Sequence, residues 1–228
     1  MFKTSPPTVK SDETRKTLFE VALRRFRREG FEQTTMRDIA ADAGLSVGAA
    51  YYYFPSKEAI VLAYYAHVQD EHLRLSRDLF SSTADLEERL RGTMQIKLDI
   101  LQDDPRFLGA LFRFAGSAEH PLSWFGPNTK DQRDLSIAVF REALAGRKLH
   151  PDLLRLVPLA LWSLHMGILL FFLYDSSRGA AKTRRLADAS FSLAFDFLKI
   201  SGFPLFAPVR RRLMAILQDV ELLGGEGA

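Results

Sequence analysis

The chain has 228 residues, no cysteine, and 26% charged beside 47% hydrophobic residues, which excludes global disorder, a collagen-like repeat, a disulfide-stapled miniprotein and any thiolate metal site. The net charge of +3 is local: residues 1–57 hold 10 lysines and arginines against 7 acids, while the remaining 171 hold 21 of each. Basic charge gathered in one segment points to a polyanionic partner there, and the absence of cysteine agrees with a reducing cytoplasm.

Residues 1–10 are polar and proline-bearing, lack the apolar core of a signal peptide, and read as a flexible arm. From Ser11 to Glu29, Leu18, Val21, Ala22 and Phe26 recur as one helix stripe, with Ser11, Asp12 and Glu13 as a start signal and Gly30 as a stop. Thr35 predicts an N-cap, with Asp38 three residues on as in a capping box. That short helix runs through Ile39, Ala40 and Ala43 to Gly44, where a tight turn suits a residue tolerant of positive φ. Ser46 caps a second short helix over Val47 to Phe54, and Pro55 stops it. Ser56 then caps a long helix reaching about Phe80.

Helices follow over Asp85 to Gln102 and Pro105 to about Phe114, and the Gly/Pro-bearing stretch 115–128 reads as looser. They resume over 129–145, 152–175, 181–201 and 206–222, and 224–228 reads as a disordered tail. No alternating strand pattern is present, so the fold class is all-α. A three-helix helix-turn-helix domain over 11–57 precedes a larger C-terminal helical bundle over 58–223. Residues 156–174 are 19 consecutive uncharged residues, long enough to span a bilayer. Pro158, Ser163, His165 and Gly167 dilute that run, its flanks form no aromatic and basic girdle, and the next helix is equally apolar. A buried core or subunit interface is the stronger expectation, and a membrane-associated helical sensor the weaker one.

The informative stretch is TTMRDIAADAGLSVGAAYYYFPSK, residues 34–57. Ala40 and Ala43 are small where two helices must cross, and Gly44 supplies the turn. Ile39, Leu45, Ala50 and Phe54 fill the space beneath, against Leu18, Ala22 and Phe26. Thr35, Arg37, Ser46, Gly48, Ala49, Tyr52, Tyr53 and Lys57 are left outward, a set of donors, small residues and aromatics that suits phosphates and base edges. Tyr51 is expected to pack under the helix. Arg24, Arg25, Arg27 and Arg28 read as a solvated face from which one residue could meet a phosphate.

These residues closely resemble the TetR family of bacterial transcriptional regulators. The match rests on Thr34-Thr35, Ile39-Ala40, Ala43-Gly44-Leu45-Ser46, Gly48, Tyr51-Tyr52-Tyr53-Phe54 and Lys57-Glu58, and it covers about residues 11–64. The resemblance implies a homodimeric repressor on a pseudo-palindromic double-stranded operator, released when a small-molecule effector fills a pocket in the C-terminal bundle. It further implies that Thr35 fixes a phosphate and that Arg37 reads a guanine. Tyr52 and Tyr53 would divide a phosphate and a base role, and Lys57 would clamp a phosphate. Ser46, Gly48 and Ala49 open the recognition helix, where Gly48 permits close approach and Ala49 reaches a thymine methyl. Val47-Gly48-Ala49-Ala50 departs from a rich base-reading set by offering no Gln, Asn or Arg, which leaves more to DNA shape.

For the effector, Met94, Leu98, Phe112, Arg113, Trp124, Trp162, His165 and Met166 are candidate lining or anchoring residues, against the plainer reading that most are core. For His165 in particular, a hydrogen-bonded histidine at a subunit interface is favoured over a ligand anchor. For the dimer, helices 152–175 and 181–201 pair with their two-fold mates, using Gly167, Leu170, Phe171, Phe191 and Phe195. His67 and Glu71 share a helix face without a third ligand at a telling spacing, so no metal is expected. No cofactor loop and no nucleophile elbow is present, and the chain reads as a non-enzyme. A DNA-binding protein without effector control is the alternative.

Overall fold

A computed structural model describes residues 9–219, all helices and turns with no strand among them. The arm expected over 1–10 therefore lies outside the described residues up to residue 8, and the tail 224–228 lies outside them entirely. The chain divides into two compact units. The first runs to His67 and adds Asp104–Lys130; the second comprises Val68–Asp103 and the residues from Asp131 onward.

The first unit is built on α1 (Val9–Glu29), α2 (Met36–Asp42), α3 (Val47–Tyr53), the opening of α4 (Lys57–Ser82) and α6 (Pro105–Ala115). α1 begins at Val9, two residues ahead of the expected Ser11 start, and ends where the Gly30 amide bonds to the Phe26 carbonyl at 3.0 Å. α2 opens with the capping box: Asp38 N–H donates to Thr35 Oγ1 at 3.2 Å, and Thr35 N–H donates to Asp38 Oδ2 at 2.9 Å. It closes with a Schellman turn, in which Leu45 N–H bonds to Ala40 O at 2.9 Å and Gly44 N–H to Ala41 O at 3.1 Å. Gly44 stands at φ +66°, where any side chain would be strained.

Leu18, Ala22 and Phe26 of α1, Ile39 and Ala40 of α2, Ala50 of α3 and Phe54, Ile60 and Val61 beyond it are all buried. Full burial of a Phe is worth roughly 2–3 kcal/mol, so this small unit holds together through Phe26 and Phe54 above all. Phe107 of α6 stacks on Phe26 with centroids 5.5 Å apart. The buried Asp104 carboxylate, just before α6, accepts Arg27 Nε at 2.5 Å, Arg27 Nη2 at 3.0 Å and the Tyr64 hydroxyl at 2.7 Å. Burial, with the Asp104 carboxylate second, pushes the Tyr64 hydroxyl well above its ordinary range. The stretch expected to be loose is a succession of tight turns, in which Ser117, His120, Ser123 and Gly126 amides each bond three residues back.

In the second unit the remainder of α4 joins α5 (Leu86–Leu101), α7 (Lys130–Ala143), α8 (Pro151–Phe172), α9 (Ala181–Ser201) and α10 (Ala207–Asp219). α5 packs on α9, α8 on α9 and α10 on α8. Leu90, Met94, Leu98 and Leu101 form the buried stripe of α5, and Phe140 of α7 stacks on Phe191 of α9 at 5.9 Å. Ahead of α9, Ala180 sits at φ +53°, a left-handed position. Asp175 stabilises this turn by accepting the Ser177 amide and hydroxyl at 2.9 and 2.6 Å and the Thr183 amide and hydroxyl at 2.8 and 2.7 Å. α8 is long and apolar enough to cross a membrane by length and composition, but Leu161, Trp162, His165, Ile168, Leu169 and Phe172 line a face buried in this unit.

Candidate functional site

α2 and α3 expose a continuous polar and aromatic face. Tyr52 is 80% exposed, its ring edge-on to Tyr53 with centroids 5.2 Å apart. Arg37 is exposed and has no ion-pair partner among the described residues. Ser46 Oγ accepts the Ala49 amide at 3.1 Å, which leaves its own proton for an outside acceptor. Gly48 has an ordinary backbone, and a Cβ built on it would meet nothing within 4 Å. Nothing inside the protein requires glycine there. Ala49 is half-buried beside it.

Tyr51 and the α1 arginines are corrected, and the Lys57 and Thr35 side chains have partners inside the protein. Tyr51 is 49% exposed, because Ala50 takes the inward position of the short α3 and turns Tyr51 toward solvent. Lys57 is half-buried, its ammonium donating to the Phe31 carbonyl at 2.8 Å and the Glu32 carbonyl at 3.4 Å over the Phe31 ring, so it holds the α1–α2 turn. The Thr35 hydroxyl is engaged on both sides, accepting the Asp38 amide and lying 2.6 Å from the Asp38 carboxylate. Hydrogen bonds from the Thr35 hydroxyl, and second from the Thr35 amide, hold the Asp38 carboxyl below its usual range. The α1 arginines are not a uniformly solvated face: Arg25 bonds Asp42 at 2.6 Å and pairs with Glu29 at 3.0 Å, and Arg27 holds Asp104.

The effector candidates fall in both units. Phe112, Arg113 and Trp124 belong to the first unit, where Phe112 and Trp124 meet edge to face at 4.1 Å and exposed Arg113 pairs with Glu32 at 3.3 Å. Met94, Leu98, Trp162 and His165 are buried in the second unit, with Met166 half-buried. His165 is buried within its own subunit rather than at an interface, its ring 5.8 Å from that of His72 and 5.7 Å from Phe140.

Around these two histidines lies a polar cluster that the sequence reading missed: Gln69, His72 and Ser76 on α4 and Thr93 and Lys97 on α5, all buried. Lys97 Nζ donates to Gln69 Oε1 at 3.0 Å, and His72 Nε2 faces the Thr93 carbonyl at 2.9 Å. Gln69 Nε2, His72 Nδ1, Ser76 Oγ and His165 Nδ1 have no partner. Each such group costs about 1–3 kcal/mol unless something answers it. Burial pulls the Lys97 ammonium down to about 7. Burial, then the Lys97 charge, keeps His72 and His165 well below the usual histidine range. The signal in the sequence is Lys97 standing on the stripe of Leu90, Met94 and Leu101, where an apolar residue belongs.

Of the dimer candidates, Gly167, Leu170 and Phe171 are exposed and Phe195 is half-buried under Lys199, whose ammonium lies 4.1 Å from the ring. Phe191 is corrected: it is fully buried against Phe140 inside its own subunit and offers no area to a partner. Leu193 and Phe197 are exposed on the same helix. No group of three His, Cys, Asp or Glu that could hold a metal is found among the described residues.

A short capped helix, a glycine turn and a second short helix with an uncovered outer face define a helix-turn-helix DNA-binding protein. Comparison with known proteins agrees. The family model for bacterial regulatory proteins of the tetR family matches residues 18–64, and that for the tetracyclin repressor-like C-terminal domain matches 89–212. The HTH-type transcriptional repressor KstR2 of Mycobacterium tuberculosis is 30% identical over 146 residues, 60% of this chain and 69% of that protein. A tetR-family regulator from Streptomyces coelicolor superposes with a TM-score of 0.65 at 19% identity, covering 94% of this chain and 99% of that one. FadR of Thermus thermophilus, a TetR-family repressor solved with lauroyl-CoA, gives 0.56 at 20% identity, over 81% and 92%. The chain belongs to the TetR family and is a DNA-binding transcriptional regulator.

Proposed function

We propose that the protein is a cytoplasmic homodimeric repressor, not an enzyme, that binds a pseudo-palindromic operator and leaves it when a small-molecule effector binds the second unit. The observation that carries the reading is the exposed face of Arg37, Ser46, Gly48 and Tyr52, with half-buried Tyr53 beside it, above a core complete without it. Arg37 supplies a guanidinium fork for guanine O6 and N7, and Ser46 a hydroxyl for a phosphate. Gly48 and Ala49 let the start of α3 sit close to the groove floor. With Lys57 and the Thr35 hydroxyl engaged inside the protein, the phosphate contacts fall to Tyr52, Tyr53 and Ser46, and Lys57 keeps one N–H for a phosphate.

Dimerisation is supported by the exposed apolar residues of α8 and α9, among them Leu170, Phe171, Leu193 and Phe197. Two-fold pairing there gives two reading heads for the two half-sites. Effector control is supported by the lauroyl-CoA bound to FadR and by α4 running unbroken from Lys57 past Gln69, His72 and Ser76. An effector acts by binding the operator-incompetent form more tightly than the other.

The test is a fluorescence anisotropy titration of the purified protein with duplexes selected by it from a random pool. The expected result is a selected palindrome bound far more tightly than a scrambled duplex, with Tyr52→Ala weakening the complex while leaving the melting temperature unchanged. Equal binding to selected and scrambled duplexes would overturn the reading.

A further inference from the structure

We propose that the polar cluster of Gln69, His72, Ser76, Lys97 and His165 in the second unit binds the carboxylate of an organic monoacid with an apolar body. This names the chemical class of the effector and rests on the effector-controlled reading above.

Three helices converge on the cluster. Gln69, His72 and Ser76 follow one another at helical spacing on one face of α4, Thr93 and Lys97 lie one turn apart on α5, and His165 comes from α8. Lys97 is 3% exposed and has no carboxylate partner among the described residues; its one acceptor is the uncharged Gln69 amide. An ammonium has three protons to place, and burial without a counter-charge is costly. Gln69 Nε2 and the Ser76 hydroxyl are further donors without an acceptor. Donors of this kind, with one cation and no acid, call for an acceptor carrying negative charge.

The stoichiometry selects a monoanion. One ammonium, an amide and a hydroxyl match the two oxygens and four lone-pair sites of a carboxylate. A phosphate dianion would ask for a second cation or a guanidinium fork, and the cluster holds neither. His72, whose Nε2 carries its proton toward the Thr93 carbonyl, presents Nδ1 as an acceptor to a ligand hydroxyl. The surroundings suit an apolar body: Met94 and Leu98 are buried on α5 with Lys97, and Phe140 lies 5.7 Å from His165 and stacks on Phe191. A surface groove of about 620 Å³ elsewhere in this unit is lined by Asp85, Glu87, Glu88 and Asp188, a charge that repels an anion.

Docking changes protonation in a readable way. Lys97, near 7 when unliganded, is largely neutral at pH 8 and takes a proton from solvent as the carboxylate arrives. The ionisable groups facing it are His72 from α4 and His165 from α8, both neutral across this range because burial holds them down, and α5 adds none. The sign follows: affinity is full below pH 7 and falls as pH rises above it.

The experiment is calorimetric titration of octanoate into the full-length protein, at pH 6 and pH 8, in buffers of different ionisation enthalpy, with 1-octanol as the uncharged control. The expected result is octanoate binding with proton uptake that is larger at pH 8 than at pH 6, none of it with 1-octanol. Lys97→Met should lose at least 30-fold in affinity and still bind the selected duplex. Absence of octanoate binding, binding without proton uptake, or equal binding to Lys97→Met overturns the proposal and leaves the cluster holding buried water only. Should Lys97→Met fail to fold, proton uptake by the unaltered protein decides alone. Failure to bind any selected duplex would strike the regulator reading instead, so the two outcomes are told apart.

Discussion

Replacing Lys97 by Met should make the protein more stable, and more so at low pH. Burial lowers the Lys97 ammonium from 10.5 to about 7; at about 1.4 kcal/mol per tenfold in proton affinity, that is a cost on the order of 5 kcal/mol. Met fills nearly the same volume without the charge, but it leaves Gln69 Oε1 without its donor, which takes back about 1–2 kcal/mol. The net gain is about 3 kcal/mol. Below 7 both the folded and unfolded chains hold the Lys97 proton, so the full cost is present. Between 7 and 10.5 the unfolded chain holds a proton that the folded chain lacks, so the unaltered protein gains stability as pH rises and the difference closes. Urea unfolding of both proteins at one fixed concentration, at pH 6 and pH 9, should show the gap shrinking by about 2–3 kcal/mol at the higher pH. A variant less stable at pH 6, or a gap that does not move with pH, would refute the reasoning.

Gly48→Ala should leave the melting temperature unchanged or slightly higher, since its Cβ meets open space and Ala favours helix by up to about 1 kcal/mol. It should nevertheless weaken duplex binding in an anisotropy titration, because the methyl group stands between α3 and the groove. Arg37→Ala should relax selection at one base pair of each half-site while leaving the slope of log affinity against log salt nearly unchanged. Ala180→Gly should raise stability by about 1 kcal/mol by relieving the left-handed backbone at φ +53°, read from the urea midpoint. Asp104→Ala should cost about 2–3 kcal/mol, since it strands the buried Tyr64 hydroxyl and removes the carboxylate that Arg27 bonds.

What was legible in the sequence is local chemistry. The Thr35 capping box, the Gly44 turn and the Ser46 cap each involve residues a few positions apart, and each stands where its spacing placed it. What was hidden is long-range pairing. Arg27 reads as a solvated charge until Asp104, 77 residues on, folds beneath it, and Lys57 reads as a free cation until the α1–α2 turn offers two carbonyls. Lys97 stands among Met94, Leu98 and Leu101, and periodicity alone gives no reason to expect a cation on a buried stripe. Phe191 and His165 were assigned to an interface because an apolar helix has two apolar faces, and sequence does not tell which one is turned inward.

The central proposition is that residues 34–57 present the DNA-reading surface. Hydroxyl-radical footprinting of the protein on its selected duplex tests it most directly. The expected pattern is two protected half-sites with centres about one helical turn or a multiple of it apart, lost together in Tyr52→Ala. Protection that persists unchanged in Tyr52→Ala and Gly48→Ala, or a footprint without two-fold symmetry, would contradict it.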